Sequence, residues 1–511
     1  MAEYRLLWGD FHTHLDDLDA GDTILRSARD NVDFCAVLMY PFVWERHNGF
    51  RVESVRNRPE FAARWQRIQQ LSRAHNDPGE FTTFPGYEWH GDRTRFGDHN
   101  VIYRDGDGPL DDAWELPRLF ENLRQRRALA LPHHTGYARG WRGKDWAVHD
   151  PELSPVMEVF SSHGSSEGVD TPYPLSANGS MAPRVSGGTY QDALARGIRV
   201  GVIGSNDGAG LPGRWGKGRA ALWAEDCTRE AIWAALAARR TYAVTGDRIE
   251  LDLRAEGHPM GASATAGEQV AVETRVTGSG PIDRIELILN GTVADTYCHA
   301  GRWKGEVPAD GRYKIRVEAG WGPATHYGYP DGPGAAWRCR LDLDGARLVG
   351  VEPCFTTVGS RVSEQGYSDC AWHCISARRR ENHTFGMTQA VVAEIEGDMG
   401  ALLHLDMDGH ALSLPLAQLR ERSELMPLVD EARQAVKASL ALTEVEVTNP
   451  DAYYHNARKV LVHRAAPESA YRVAHTFADL PLQKGVNYLY ARVSQVNGQM
   501  AWSSPVWLKR A

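Results

Sequence analysis

The chain has 511 residues and a formal net charge of −9, with acidic and basic residues interspersed along its length. The length predicts roughly two to four domains, and the absence of basic clustering argues against a nucleic-acid partner. No apolar stretch approaches the ~20 residues of a membrane-spanning helix, and the N-terminus lacks signal-peptide features, so we expect no membrane partner. Seven cysteines, an odd and sparse number, favour a reducing compartment, and a cytoplasmic location is expected.

The first half of the chain alternates strand-like apolar runs with helical patterns. Apolar runs cover residues 4–11, 128–131, 155–160 and 198–204. Apolar residues recur at helical spacing in three further segments: Phe61, Trp65, Ile68 and Leu71; Leu116, Leu119, Phe120 and Leu123; and Ile232 and Leu236. This alternation predicts a parallel α/β domain over residues 1–247.

From about residue 248 the pattern becomes that of antiparallel β structure. Turn-forming pairs lie between alternating β-rich runs, which is the strongest local signal of a hairpin. The pairs are Asn290 with Gly291, Asp344 with Gly345, Asp408 with Gly409, and Asn497 with Gly498. Apolar residues between 416 and 440 suggest one or two inserted helices. We therefore expect a β-sandwich domain over residues 248–511.

Five segments of the first half place a metal-binding residue type just after an apolar run. The residues are His12 and His14, Glu88, His133 and His134, His163, and Asp207. When parallel strands close into a barrel, the residues just past the strand C-termini converge on one mouth. In an extended segment His12 and His14 also point to the same side, where they can grip one cation. The recurrence therefore predicts a metal site.

The order of these motifs resembles the PHP (polymerase and histidinol phosphatase) superfamily of metal-dependent hydrolases. The matching segments are His12-x-His14, Gly86-Tyr-Glu88, Pro132-His133-His134, Ser162-His163-Gly164 and Gly204-Ser-Asn-Asp207. Residues 98–101, 240–248 and 501–507 are similar to a subgroup with a C-terminal β domain. The resemblance implies a distorted seven-stranded β/α barrel, TIM-like in form, with up to three metals at its mouth.

The resemblance also implies which residues bind the metals. One ion would take His12, His14, Glu88 and Asp207, and a second would share Glu88 and add His163 with either His133 or His134. His133 is preferred because it directly follows the apolar strand, but the choice stays open. The third site lacks its residues, since Tyr40 and Ala209 stand where the family has His. We therefore expect two divalent metal ions.

Such a donor set predicts hydrolysis. Imidazole nitrogens and carboxylate oxygens together suit Zn²⁺, Mn²⁺ or Fe²⁺. Two cations bridged by Glu88 would stand ~3.5–4 Å apart and lower the pKa of a shared water from about 15.7 towards ~7, which provides a hydroxide nucleophile at neutral pH. The family resemblance makes a phosphoesterase the leading expectation, with Glu88, Asp207 and His99 in the catalytic machinery.

Basic residues on the predicted mouth loops favour a small anionic substrate such as a phosphate ester. Arg139, Arg142 and Arg214 are the candidates on these loops, and Tyr40 could donate a hydrogen bond to the substrate from the vacated third site. His99 is either a substrate-contacting acid or a hydrogen-bonded structural histidine. Glu158 lies within a strand, where it either supports the metal ligands or forms a buried structural ion pair.

Two other functions fit the same residues. The metals could serve to hydrolyse a non-phosphate bond, in a glycan or a cyclic ester, or they could stabilise a binding module without catalysis. The sequence does not define the oligomeric state. Two further clusters, at residues 404–410 and 370–374, are expected not to bind metal, because the first lies at a hairpin turn and the second lacks zinc-ribbon spacing.

Overall fold

The computed structural model describes residues 4–54, 58–176, 181–301, 310–323, 335–376, 388–440, 443 and 450–510. The strands up to residue 300 are β1 (Arg5–His14), β2 (Phe34–Met39), β3 (Val43–His47), β4 (Phe50–Ser54), β5 (Thr82–Trp89), β6 (His99–Tyr103), β7 (Ala128–Pro132), β8 (Val156–Ser161), β9 (Gly164–Ser165), β10 (Gly201–Gly204), β11 (Gly208–Ala209), β12 (Arg219–Ala224), β13 (Thr241–Val244), β14 (Glu250–Ala255), β15 (His258–Pro259), β16 (Ser263–Ala266), β17 (Gln269–Thr277), β18 (Ile282–Leu289) and β19 (Thr292–Cys298). The later strands are β20 (Asp310–Gly320), β21 (Ala335–Cys354), β22 (Arg361–Gln365), β23 (Asp369–Ser376), β24 (Thr388–Met407), β25 (His410–Pro415), β26 (Glu424–Pro427), β27 (Lys459–Val462), β28 (Ala466–Pro467), β29 (Arg472–Pro481), β30 (Gly485–Gln495), β31 (Met500–Ser503) and β32 (Val506–Arg510). The helices are α1 (Gly21–Arg29), α2 (Arg58–His75), α3 (Arg93–Phe96), α4 (Leu116–Arg124), α5 (Tyr190–Ala195), α6 (Arg229–Ala237), α7 (Leu416–Glu421), α8 (Val429–Leu440), α9 (Asp451–Asn456) and α10 (Glu468–Tyr471).

The helices predicted in the first half are present. The patterned residues lie on α2, α4 and α6, and their apolar side chains are buried. α4 carries a proline in its first turn, where the missing N–H costs nothing. α6 is capped by Thr228, whose side chain accepts a hydrogen bond from the backbone N–H of Ala231. In the part of the chain that the structure describes, no helix is both long and apolar enough to cross a membrane.

The largest sheet has fourteen strands, of which eleven run in the order β16-β32-β30-β31-β13-β12-β1-β2-β5-β6-β7. β1, β2 and β5 are parallel neighbours, and β8 pairs in parallel with β10 in a separate sheet. The fold is therefore mixed α/β, as expected, and rich in strands.

The closed seven-stranded barrel is not confirmed, because the sheets formed by the described residues remain open. β6 runs antiparallel to both β5 and β7, and β12 runs antiparallel to β1. The link between β5 and β6 holds only the four-residue helix α3. A connection this short favours an antiparallel return, since a parallel crossover needs about a dozen residues or more.

Contacts divide the chain into two compact units. The first comprises Met1–Gly278, Ile282–Ala300 and Arg472–Ala511, and the second comprises Ser279–Pro281 and Gly301–Tyr471. This division does not coincide with the predicted boundary at residue 247, because β14, β17, β18 and β30 share one apolar core with residues of β1, β12 and β13. The assignment of 1–247 and 248–511 as separate domains stays a prediction.

A buried network attaches the C-terminal strands to the rest of the first unit. Nη1 of Arg492, on β30, lies 3.1 Å from each carboxylate oxygen of Glu167. Tyr490 and Trp502 also donate to Glu167, at 2.9 and 2.8 Å, and Arg492 reaches Glu286 at 2.9 Å. The carboxylate of Glu167 therefore collects donors from β30 and β31 inside the protein.

The second unit is built on a nine-stranded sheet whose path is β22-β23-β21-β24-β20-β27-β26. The strand pairs described in this sheet are antiparallel, as the sequence predicted for the second half. The helical pattern at 416–440 forms α7 and α8, with the short strand β26 between them.

Three of the four predicted hairpin turns are present. Asn290 with Gly291 and Asp408 with Gly409 adopt positive φ and connect paired strands by two-residue turns, as primed turns require. Gly498 lies in a longer turn between β30 and β31. The prediction for Asp344 and Gly345 is wrong, because both lie inside β21 at a shift of register, where the positive φ of Gly345 accommodates a bulge.

Candidate metal centre

The five segments singled out in the sequence meet at one place in the first unit. They supply the ends of β1 and β5 and the residues that follow β7, β8 and β10. The residues brought together are His12, His14, Glu88, His133, His134, His163 and Asp207. The first five are buried, and the side chains of His163 and Asp207 are 16% and 6% exposed. The ends of these strands therefore converge on one place even though the described sheets are open.

Glu88 faces the two histidines of β1 with one carboxylate oxygen. Its Oε2 lies 3.1 Å from Nε2 of His14 and 3.7 Å from Nε2 of His12. Nε2 of His12 is also 3.5 Å from Oδ1 of Asp207. His12, His14 and Asp207 offer ligand atoms that all lie within 4.8 Å of one another, which is a spacing that one cation could span.

The other oxygen of each carboxylate faces a second set of imidazoles. Oε1 of Glu88 is 3.6 Å from Nε2 of His133, and Oδ2 of Asp207 is 3.3 Å from Nε2 of His163. His134 joins His163 and Asp207 in a further group of candidate ligands. Both Glu88 and Asp207 therefore have the position of a bridge, and the structure brings both His133 and His134 to the centre.

Several imidazole nitrogens at the centre are buried and have no hydrogen-bond partner among the described residues. They are Nε2 of His12, Nε2 of His14, both ring nitrogens of His133 and Nδ1 of His134. Buried polar atoms in proteins are almost always hydrogen-bonded, so unpaired nitrogens that face carboxylates call for another partner. A divalent cation is a partner that this donor set fits, because neutral imidazole and carboxylate are its usual ligands.

Other residues hold the candidate ligands in orientation. Nδ1 of His12 lies 2.8 Å from Oε2 of Glu158, and Nδ1 of His163 lies 2.7 Å from the hydroxyl of Tyr137. A partner on one ring nitrogen fixes the imidazole and leaves the other nitrogen for a metal. Glu158 thus has the supporting position that was one of its two predicted roles.

Asp10 organises the backbone around the centre. It lies two residues before His12 in the sequence, but the sequence pattern did not indicate this role. Its carboxylate accepts hydrogen bonds from the backbone N–H groups of His12, Asn206 and Gly213, at 2.8, 3.1 and 2.8 Å. These bonds join the end of β1 to the loop that carries Asp207. The two strand ends are thereby fixed relative to each other.

Two candidate ligands have a strained backbone. His134 and Asp207 have φ angles of 32° and 49°, in the left-handed region that non-glycine residues seldom occupy. Such conformations cost about 1–3 kcal/mol each and cluster at functional sites. The strain places these two side chains at the centre, and the surrounding packing maintains it.

Asp98 and Arg93 also belong to the centre. The sequence predicted Arg93 as one of the basic residues of the mouth loops but gave Asp98 no role there. Asp98 forms a group with His133 and His134 but is ion-paired to Arg142 and, at 3.4 Å, to Arg93. The two guanidinium groups also approach Oε1 of Glu88, at 3.8 and 3.9 Å. Two guanidinium groups therefore lie on one side of the centre.

The residues predicted to bind substrate separate into two groups. Arg142 lies at the centre, as does Tyr40, whose ring is 3.9 Å from that of His14. Arg139 has a side chain that is 49% exposed and pairs with Asp145 at 3.3 Å. Arg214 donates to the backbone oxygen of Ala209. The guanidinium groups of Arg139 and Arg214 are thus engaged by Asp145 and by the backbone of Ala209, respectively.

The electrostatic environment keeps the carboxylates of Glu88 and Asp207 charged. Burial raises the pKa of Glu88, but His12, His133 and His14 hold it well below its ordinary value. Burial likewise raises the pKa of Asp207, while His12 and His163 bring it to about 2. Both groups are therefore anions at neutral pH and are ready to bind cations.

His99 has the surroundings of a structural histidine, the second of its two predicted roles. It is fully buried, with Nδ1 3.1 Å from the backbone oxygen of Gly97 and Nε2 3.0 Å from Nζ of Lys144. Burial, and then the charge of Lys144, lower the pKa of His99 well below its usual range. A neutral ring that accepts from Lys144 leaves no proton for a substrate.

Lys144, which follows the histidine pair on a predicted mouth loop, is buried and does not face solvent. Besides its contact with His99, its ammonium group donates to the backbone oxygen of Val148 at 2.7 Å. Burial lowers its pKa from 10.5 to about 7. The folded chain therefore releases this proton at a pH where the unfolded chain still binds it.

Lys144→Met should change how stability depends on pH. Between pH 10 and pH 7 the unfolded wild type takes up a proton that the folded protein refuses, so Lys144 destabilises the wild type by about 1.4 kcal/mol for each unit that the pH falls. The methionine variant lacks this penalty. Urea denaturation of both metal-saturated proteins should show their free energies of unfolding diverging in favour of the variant towards pH 7. Parallel curves would contradict the buried, weakly basic lysine.

The two clusters expected not to bind metal have ordinary surroundings. Nδ1 of His404 lies 2.9 Å from the hydroxyl of Ser413 on the neighbouring strand. Among the described residues, the groups suited to a metal ion include none of residues 404–410 and none of residues 370–374.

A family model and two relatives among known proteins match parts of this chain. A family model described as "Protein of unknown function (DUF3604)" matches residues 33–167 and 211–275. An uncharacterized protein of Chlamydia pneumoniae is 25% identical over 318 residues, and one of Chlamydia muridarum is 23% identical over 317 residues. Each alignment covers 57% of this chain and 49% of the relative, so the chain spans about half the length of these curated relatives.

One solved structure is similar over much of its length. It is a two-domain protein from Bacteroides vulgatus described as containing a predicted PHP-like metal-dependent phosphoesterase. The alignment covers 81% of this chain and 95% of that protein, with 13% sequence identity and a TM-score of 0.30.

Proposed function

We propose that this chain is a PHP-type hydrolase that uses two divalent metal ions to cleave phosphoesters. The observation that carries the proposal is the position of Glu88 and Asp207. Each carboxylate turns one oxygen towards the histidines of β1 and the other towards a second set of imidazoles. Such an arrangement suits a pair of bridged cations.

One ion would be held by His12, His14, Glu88 and Asp207, and the other by Glu88 and His163 together with His133 or His134. Zn²⁺, Mn²⁺ and Fe²⁺ all accept this mixture of nitrogen and oxygen donors. When bound, the ions would acidify a water to give a nucleophile at neutral pH and would neutralise charge on the attacked group.

The protein's own residues would position the substrate. Arg93 and Arg142 lie on the same side of Glu88, where their guanidinium groups can hold the oxygens of an anionic ester. Tyr40, whose ring contacts that of His14, can donate its hydroxyl proton in a hydrogen bond to the same group. Glu158 and Tyr137 keep His12 and His163 in fixed orientations.

Hydrolysis of a substrate library by the metal-loaded full chain tests the proposal. Phosphomonoesters, phosphodiesters, carboxyl esters and glycosides should be assayed together with a chelated sample. We expect hydrolysis of phosphoesters that chelation removes and added Mn²⁺ or Zn²⁺ restores. Cleavage of another bond class alone would assign the centre to that chemistry. Metal binding without any hydrolysis would favour the non-catalytic binding module.

We expect two metal equivalents per chain and not three. The group formed by Asp98, His133 and His134 is engaged by Arg93 and Arg142, and an ion there would have to compete with their positive charge. Elemental analysis of protein purified without chelator should give about two equivalents. Three tightly bound ions, or an ion in contact with Tyr40 or Asp98, would overturn this expectation.

A further inference from the structure

A cavity of about 670 Å³ lies in the first unit between α2, the end of β5 and the segment 108–114. Its walls include Phe61 and Trp65 of α2, Trp89 and His90 at the end of β5, and Trp114. The volume lies within the range of about 300–1,000 Å³ that small-molecule sites occupy. Nothing in the hydrolytic mechanism above uses this space.

The lining offers aromatic surfaces and few free hydrogen-bonding groups. Nε1 of Trp65 donates to the backbone oxygen of Gly108 at 2.8 Å, and Nε1 of Trp89 donates to that of Ala113 at 2.7 Å. Asp111 accepts hydrogen bonds from the side chain of Asn122 and from the backbone of Ala113. The indole N–H groups of Trp65 and Trp89 are thus occupied inside the protein. Trp114, which is 65% exposed, presents the most accessible aromatic ring of the lining, and such a ring favours an apolar, planar ligand.

His90 connects the cavity wall with the metal centre. Its Nδ1 is 2.7 Å from the backbone oxygen of Glu88, and its Nε2 is 3.1 Å from Nη1 of Arg93. The centroid of the His90 ring lies 5.6 Å from that of Tyr40, whose ring lies 3.9 Å from that of His14 at a tilt of 48°. An anionic group held by Arg93 would therefore lie beside a wall that includes the aromatic side chains of the cavity.

We propose that the cavity binds an aromatic ring in the organic part of the ester, while the anionic end lies at Arg93 and the metal centre. The inference rests on the proposed function and names its substrate class: phosphoesters of aromatic alcohols or of similar planar, apolar groups. The ring would provide binding energy through burial of apolar surface, and the charged end would provide orientation.

Binding of phenylphosphonate and of methylphosphonate to the zinc-saturated full chain tests the inference without requiring turnover. Calorimetry should show phenylphosphonate bound about tenfold more tightly or better, since only the phenyl group can fill the cavity. Ala62→Trp places a large side chain into the space, because Ala62 lines it from α2. Ala63→Trp is the matched control: both alanines are exposed on the same helix, but Ala63 is not part of the lining.

We expect Ala62→Trp to remove the preference for phenylphosphonate and Ala63→Trp to retain it. The metal-free full chain should also bind phenol weakly, and Ala62→Trp should abolish that binding, since the cavity contains no proposed metal ligand. Equal affinity for the two phosphonates, a phenyl preference that survives in Ala62→Trp, or binding of neither phosphonate would overturn the inference. Hydrolysis of phosphoesters by the same protein, measured separately, decides the proposed function, so the two failures are distinguishable.

Discussion

Replacing Glu88 by Gln should reduce hydrolysis by about a thousandfold or more and leave the purified chain unable to hold two metals. Glu88 turns Oε2 to His14 and Oε1 to His133. An amide can offer a metal only its single oxygen, and it brings no charge to offset two cations. Turnover of the substrate found by the library screen and elemental analysis of the same preparation measure both effects.

Two variants control for loss of a carboxylate or a histidine elsewhere. Glu53 pairs with Arg93 but lies outside every candidate ligand group, so Glu53→Gln should keep both metals. His404→Ala, in the second unit, should change neither metal content nor turnover. If Glu88→Gln retains full metal content and wild-type turnover, the bridging role of Glu88 is wrong.

The sequence predicted those helices and turns that depend on residues close together in the chain. Apolar spacing predicted α2, α4 and α6, because a helix that packs on a core must repeat its buried face every three to four residues. The turn pairs at Asn290 and Asp408 were predictable for a similar reason, since primed turns require positive φ. Asp344 with Gly345 has the same kind of turn sequence. There, however, the positive φ of Gly345 is used inside β21, at a shift of register, and not in a turn.

Long-range contacts explain what the sequence could not show. Asp98 and Arg142 are 44 positions apart, and each alone is an ordinary polar residue of a loop. Lys144 follows the histidine pair on a predicted mouth loop, but the structure buries it against His99. The open sheet is a related case: β6 has the composition of any buried strand, and only its pairing shows that it runs antiparallel. Chain direction in a sheet is set by connection and packing together.

Among the residues discussed above that lie outside the metal centre, replacement of Glu167 by Ala should lower the free energy of unfolding the most. Arg492, Tyr490 and Trp502 all donate to this buried carboxylate. Its removal would leave a guanidinium group with only Glu286 and two ring donors without an acceptor, and breaking a buried ion pair in this way costs about 3–5 kcal/mol. Urea denaturation followed by tryptophan fluorescence should show the corresponding loss in the free energy of unfolding.

The partners of Arg492 allow a matched comparison. Glu286→Ala removes the other carboxylate that pairs with Arg492. Because the side chain of Glu286 is 13% exposed, water can replace part of the lost interaction, and we expect a smaller decrease in the free energy of unfolding. Glu167→Leu combined with Arg492→Met removes both charges, and the double variant should be more stable than Glu167→Ala because no charge remains buried without its partner. If Glu167→Ala unfolds at the wild-type urea concentration, the C-terminal strands do not depend on this network. Retention of wild-type stability would mean that the apolar core shared by β14, β17, β18 and β30 is sufficient to hold them.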